Sequence, residues 1–276
     1  MNRALHSRFS IFTFVLFAGP AIAGVTRTAT YLGYNPATGL NDQQYSILYE
    51  IPDPEKFGRG PFPLAMWTPG SIERYFDSIS TLMMDEMSRR GFVAASVQYD
   101  NGHFAKSCAD WLAHASSIYD VTRSSSAIGV MCSISAVNCN AGVVSLGISQ
   151  GAGIAVLAKN YAPYVRASLA FSVSDTQHLG EGTTYFGGCI DKLVTAIPVD
   201  RLTIVNGISD AIFGGQAPLM GVSGLSCPPN TFQCWAPSMS GAGWYIVQDS
   251  QVTDGVADHC YMIIVGSNPI YITNYN

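Results

Sequence analysis

The stretch Val143-Val144-Ser145-Leu146-Gly147-Ile148-Ser149-Gln150-Gly151-Ala152-Gly153 constrains this chain more than any other. Three of its first four residues are apolar, two glycines bracket a serine, and an apolar run from Ile154 to Ala158 follows. That order predicts a buried strand, a tight turn and a helix. A serine at such a turn is held in a strained backbone conformation and pushed out above the sheet edge. Gly147 and Gly151 flank it because a Cβ at either place would collide with the neighbouring strand and helix. A GxSxG string arises by chance in a chain with 27 glycines, but the strand before it and the helix after it set this one apart.

The remaining chain supplies a sheet for that turn. Thr26 to Gly33 and Gln44 to Ile51 read as two strands, the second with Tyr45, Ile47, Tyr49 and Ile51 on one side. Phe62 to Trp67 enters a third strand that ends at Thr68-Pro69-Gly70. Tyr75 to Arg90 reads as a helix, since Phe76, Ile79, Leu82, Met83 and Met87 share a face and Gly91 stops it. Phe92 to Val97 is a nearly continuous apolar run, as in a parallel strand buried on both faces. Phe104 to about Val130 is helical in pattern, with a break at Ser124-Ser125-Ser126.

After Ser149 the helix should run to about Ala162, and Val165 to Val173 is another strand, ending at Ser174-Asp175. Leu202 to Asn206 is a strand closed by Gly207-Ile208-Ser209-Asp210, and Trp244 to Val247 is the last. Thr176 to Pro198 and Gly214 to Gly243 read as irregular, long enough to form pocket walls or a lid. A β-hairpin followed by strands alternating with helices predicts one α/β domain over 24–276. It should hold a mainly parallel sheet of about eight strands with helices on both faces.

The N-terminus predicts export. Arg3 and Arg8 give a basic start, Ile11 to Ala18 an apolar run, and Ala21-Ile22-Ala23 a small-x-small cleavage pattern. These are the parts of a secretory signal peptide over 1–23, cleaved after Ala23, and the run is too short for a transmembrane helix. Losing two arginines and no acids leaves 12 basic and 19 acidic side chains, a net charge near −7. That balance argues against nucleic acid, whose phosphates need clustered Lys and Arg. All seven cysteines follow residue 23. In an exported chain they suggest disulfides: Cys132–Cys139 and Cys227–Cys234 across short loops, then Cys108–Cys189, with Cys260 left over. No CxxC pair or His at ligand spacing points to a metal, and no organic cofactor is implied. A monomer is expected.

In a parallel sheet with right-handed crossovers, the loops after the strands' C-terminal ends share one edge. Gly70-Ser71, Ser149, Asp210 and His259 fall there. A serine hydroxyl is a weak nucleophile at neutral pH and needs a general base. His259 is the candidate base, and Asp210 would hold its other ring nitrogen. The order Ser, Asp, His fits a GxSxG elbow. The backbone N–H of Gln150, at the start of the following helix, would help bind the oxyanion, with a second donor from Gly70 or Ser71. Trp67, Ile148 and Phe213 are candidate walls of an apolar substrate pocket.

In these features the chain resembles the α/β-hydrolases, and its elbow Gly147-Ile148-Ser149-Gln150-Gly151 is similar to those of secreted lipases, esterases and cutinase-like enzymes. The resemblance implies Ser149 as nucleophile, Asp210 as acid, His259 as base, and hydrolysis of a small or polymeric carboxylic ester. The HG or HGGG oxyanion motif of many lipases is replaced by Trp67-Thr68-Pro69-Gly70-Ser71, which resembles the shorter form in dienelactone-hydrolase-like and polyester-hydrolase-like members.

Competing assignments stand beside these. Asp175 is the rival acid and His178 the rival base, though His178 comes early in the order. His103 follows a strand, and His114 lies within a predicted helix and reads as structural. A serine peptidase or amidase uses the same triad, and a non-catalytic binding protein can retain the same fold.

Overall fold

A computed structural model of the chain describes residues 24–105, 107–179, 182–213, 216–237 and 241–259. The expected signal peptide and Cys260 lie outside them. The strands are β1 (Val25–Asn35), β2 (Leu40–Ile51), β3 (Leu64–Thr68), β4 (Val93–Val97), β5 (Val143–Ile148), β6 (Val165–Phe171), β7 (Thr176–Leu179), β8 (Gly182–Tyr185), β9 (Leu202–Gly207), β10 (Gln233–Trp235) and β11 (Gly243–Val247). The helices are α1 (Pro54–Phe57), α2 (Ser78–Ser88), α3 (Cys108–Tyr119), α4 (Ala127–Cys132), α5 (Gln150–Tyr161), α6 (Gly187–Ile190) and α7 (Gln216–Ser223).

Nine strands form one sheet in the order β1-β2-β4-β3-β5-β6-β9-β11-β10. The pairs from β4 to β11 are parallel, and antiparallel pairs close both ends. The fold class is therefore as expected, with β10 as one strand more than eight. Period-two alternation splits the core between the two faces. Leu64 and Met66 of β3 join Trp111, Ile118, Ile154 and Leu157 of α3 and α5. Ala65 and Trp67 join Leu146, Ile148, Phe171 and the α2 residues Ile79, Leu82 and Met83. Among the described residues, no helix is long and apolar enough to cross a membrane.

Several elements differ from the expected ones. The helix expected from Tyr75 starts at Ser78, because Asp77 accepts the N–H of Arg74 and closes a turn first. The long helix expected after Phe104 is two helices; Asp120 leaves α3 in extended backbone, and the Ser126 hydroxyl caps α4 at Gly129 N–H. The two stretches read as irregular hold the hairpin β7–β8, α6, α7 and β10. The Gly, Pro and Ser content of the second stretch hides α7 and β10. The three expected disulfides, Cys108–Cys189, Cys132–Cys139 and Cys227–Cys234, are present. The last of them closes the loop that brings β10 onto β11.

Candidate active site

Strand β5 delivers Ser149 directly onto α5. Ser149 sits at φ 56°, ψ −124°, a left-handed conformation costly for a residue with a Cβ. Its N–H is fixed by the Phe171 carbonyl at 2.9 Å. The flanking glycines make the turn possible. A Cβ on Gly147 would lie 2.3 Å from the Gly151 carbonyl oxygen, and one on Gly151 would lie 2.1 Å from that of Thr68. The first contact is with the helix that follows and the second with the neighbouring strand, so no larger residue fits.

Three side chains meet at this edge. The Nε2 of His259 lies 2.9 Å from the Ser149 hydroxyl. Its Nδ1 lies 2.9 Å from Asp210 Oδ2. A carboxylate only accepts, so Nδ1 carries the proton of the neutral imidazole and Nε2 accepts from the serine hydroxyl. Asp210 follows β9, and its Oδ1 accepts the Ile212 and Phe213 N–H groups, both at 2.9 Å. Those bonds aim Oδ2 at the histidine. All three residues are buried.

His259 arrives on the loop after β11, and two devices outside the triad hold it. The Ser172 hydroxyl, at the end of β6, donates to the His259 carbonyl at 2.9 Å. The Phe213 ring packs 5.3 Å from the imidazole. Asn206 ties the neighbouring loops together, donating to the Val173 and Phe213 carbonyls and accepting the Val173 N–H.

The side expected to receive an oxyanion is built from two elements. The Gln150 N–H is at the start of α5, where the helix dipole favours negative charge. Across from it, the Ser71 hydroxyl donates to Gln150 Oε1 at 2.8 Å. The two donors named from the sequence separate here. The Gly70 N–H is bonded to the buried Glu73 carboxylate at 2.6 Å, which leaves Ser71 as the second candidate. Segment 99–101 clamps this loop: Tyr99 Oη donates to the Pro69 carbonyl at 3.0 Å, and Asn101 Nδ2 donates to those of Gly70 at 2.5 Å and Glu73 at 2.7 Å.

Other candidates are not gathered. Trp67 and Ile148, expected in a substrate pocket, belong to the core beneath α2, and the Trp67 indole N–H is spent on Ser80 Oγ. Alternation along a strand tells that a residue faces one side, not which side holds the site. Phe213 is fully buried but does touch His259. Asp175 accepts from the Thr176 hydroxyl and packs against Gly221 of α7. His178 lies in β7 and His103 is exposed. His114 is buried edge-on to Tyr34 and Tyr99, and burial pulls its pKa down to about 4. It is neutral at ordinary pH and structural.

Glu73, Ser172, Asn101 and Asn206 went unnoticed in the sequence. Only Asn206 had a signal, as a polar residue ending an otherwise apolar strand. Among the described residues, no group of three His, Cys, Asp or Glu is arranged to hold a metal ion.

No protein-family model and no curated protein sequence matches the chain. Solved structures do. Est1E from Butyrivibrio proteoclasticus, in a structure with ferulic acid bound, is similar at 12% identity and a TM-score of 0.51. The match covers 84% of this chain and 92% of that one. An acylaminoacyl peptidase from Pyrococcus horikoshii is similar at 12% identity and a TM-score of 0.52, over 88% of this chain and 39% of that one. A hypothetical protein from Pseudomonas aeruginosa is similar at 16% identity and a TM-score of 0.41, over 56% of this chain and 44% of that one. The chain thus spans less than half the length of the last two and nearly all of Est1E. At such identities the likeness concerns the fold, which is that of the α/β-hydrolases.

Proposed function

We propose that this chain, an α/β-hydrolase by fold, is an exported serine hydrolase that cleaves carboxylic esters through an acyl-enzyme. The observation that carries the reading is the unbroken relay Asp210–His259–Ser149, with both hydrogen bonds at 2.9 Å. In the proposed mechanism His259 Nε2 takes the Ser149 proton as Oγ attacks the ester carbonyl. Asp210 stabilises the imidazolium. The Gln150 and Ser71 N–H groups receive the negative charge that forms on the carbonyl oxygen. His259 then returns the proton to the departing alcohol, and a water repeats the sequence to free the acid. Exposed Ile72 and Ile208, on the loops that carry Ser71 and Asp210, offer apolar surface for the acyl part.

Export is proposed from the basic, apolar and small-x-small order over 1–23 together with the three disulfides. Amino-terminal sequencing of protein recovered from the medium or periplasm should begin at Gly24, and an intact Met1 would remove that part. The ester reading is checked by acid-quenching a reaction with p-nitrophenyl acetate. One acetyl group should appear on the peptide holding Ser149. The matching p-nitroanilide separates the alternatives: turnover at a rate near that of the ester would favour a peptidase or amidase.

A further inference from the structure

A buried carboxyl group beside the site has no part in the proposed reaction. Glu73 is 5% exposed, yet it lies in the loop immediately after β3, where a glutamate would ordinarily be solvated. Its Oε2 receives the Gly70 N–H at 2.6 Å, short for an N–H···O contact and typical of a charged acceptor. A Cβ built on Gly70 would touch Glu73 Oε2 at 3.2 Å and the Ser149 Cβ at 3.3 Å, so Gly70 lies between the carboxyl group and Ser149. The next residue, Ser71, is half-buried, and no acceptor for its own N–H is found among the described residues. Ile72, after it, sits at φ 60° with its N–H tied to the Asn101 carbonyl. The loop is therefore pinned on both sides of Ser71, by Glu73 at Gly70 and by Asn101 at Ile72.

We propose that Glu73 is a positioning residue whose ionised carboxylate, by holding the Gly70 N–H, shapes the loop so that the Ser71 N–H is left for the oxyanion. The inference rests on the hydrolase reading above and adds a second ionisation to it. The groups facing Glu73 are few. Burial pushes its carboxyl up to about 7; the Gly70 N–H and His259 pull it down and Asp77 pushes it up. Tyr99, from the other side, has its own hydroxyl pushed well up by burial and by Glu73. The nearest arginine in sequence, Arg74, lies over the Phe76 ring. Glu73 thus changes charge close to neutral pH, where it alters the strength of the Gly70 bond.

The sign follows. Acylation by the free enzyme needs His259 neutral and is faster with Glu73 ionised, so the loss of either proton raises the rate. The logarithm of kcat/KM for p-nitrophenyl acetate should then fall on the acid side with a slope steeper than one, approaching two while Glu73 takes up its proton and returning to one below that step. Fluorophosphonate inactivation should show the same limb. Glu73→Gln keeps a neutral acceptor for the Gly70 N–H and removes the ionisation. Its limb should have a slope of one, with kcat lower by roughly 10- to 100-fold, the worth of a charge-assisted hydrogen bond, and KM little changed. Glu73→Ala should lose more. A purely structural role would lower the amount of folded enzyme and leave the slope alone. A wild-type protein that labels with fluorophosphonate but whose limb is nowhere steeper than one overturns this inference by itself, with no variant needed; so does a limb steeper than one in Glu73→Gln. Failure of the wild type to label overturns the hydrolase reading and this inference with it.

Discussion

The Ser172 hydroxyl donates to the backbone carbonyl of His259 at 2.9 Å, joining the end of β6 to the residue whose imidazole meets Ser149. Ser172 itself sits at φ 52°, a conformation that is costly without compensation. The histidine comes on a loop rather than a strand, so its position depends on such ties. Ser172→Ala should lower kcat by about tenfold, in line with one buried hydrogen bond. KM should stay within about twofold, a split that marks positioning rather than binding. Steady-state kinetics on p-nitrophenyl acetate checks this; an unchanged kcat would free Ser172 of the role.

Asp210 and Asp175 are both buried carboxyls after strands, but only Asp210 reaches His259. Asp210→Asn should reduce kcat by about 10⁴, the loss expected when the imidazole is held in the wrong tautomer. Asp175→Asn should change kcat by less than about threefold, because its bond is to Thr176. The two variants measured side by side settle the acid, and a reversed order would exchange them.

Glu73 should also make stability depend on pH. Its carboxyl is pushed from 4.5 to about 7 by burial, so the folded state holds the proton more tightly than the unfolded state. A folded-state pKa above the unfolded one gives a contribution fully present below pH 4.5 and lost as pH rises through 7. Each pKa unit corresponds to about 1.4 kcal/mol, which over the rise from 4.5 to about 7 makes the loss about 3.5 kcal/mol. Glu73→Gln should accordingly melt several degrees above the wild type at pH 8, with the difference vanishing near pH 4. Calorimetry at the two pH values measures it, and a variant less stable than the wild type at pH 8 would contradict the assignment.

The Cys108–Cys189 disulfide spans 81 residues and ties the start of α3 to α6. Closing a loop of that size is worth about 4 kcal/mol in the chain-entropy picture. Replacing both cysteines by alanine should lower Tm by roughly 10 °C. If Tm hardly moves, the bridge contributes little beyond the packing around it.

The parts of this molecule that could be read from its sequence are those that local sterics dictate. The spacing of Gly147 and Gly151 announces the elbow because each glycine answers a backbone contact that any Cβ would block. Asp210 and His259 could be read because the fold returns their loops to the same edge. Trp67 could not be read correctly: its strand position fixes a face, and only the packing of α2 shows that this face is core. The helix α7 and strand β10 hide in Gly- and Pro-rich sequence, and depend on tertiary contacts such as Asp175 against Gly221. Glu73 had no local signal at all. Its burial follows from the Gly70 turn and the clamp at Asn101, segments about thirty residues apart that pattern and propensity do not link.

The proposed reaction stands or falls with Ser149 as a nucleophile activated by its neighbours. Intact mass and peptide mapping after incubation with a fluorophosphonate test it most directly. One adduct per chain is expected, located on Ser149, formed faster as pH rises through neutrality, and absent from Ser149→Ala, a variant that melts close to the wild type. A folded wild-type protein that takes no adduct, or takes it on another residue, would remove Ser149 from this role.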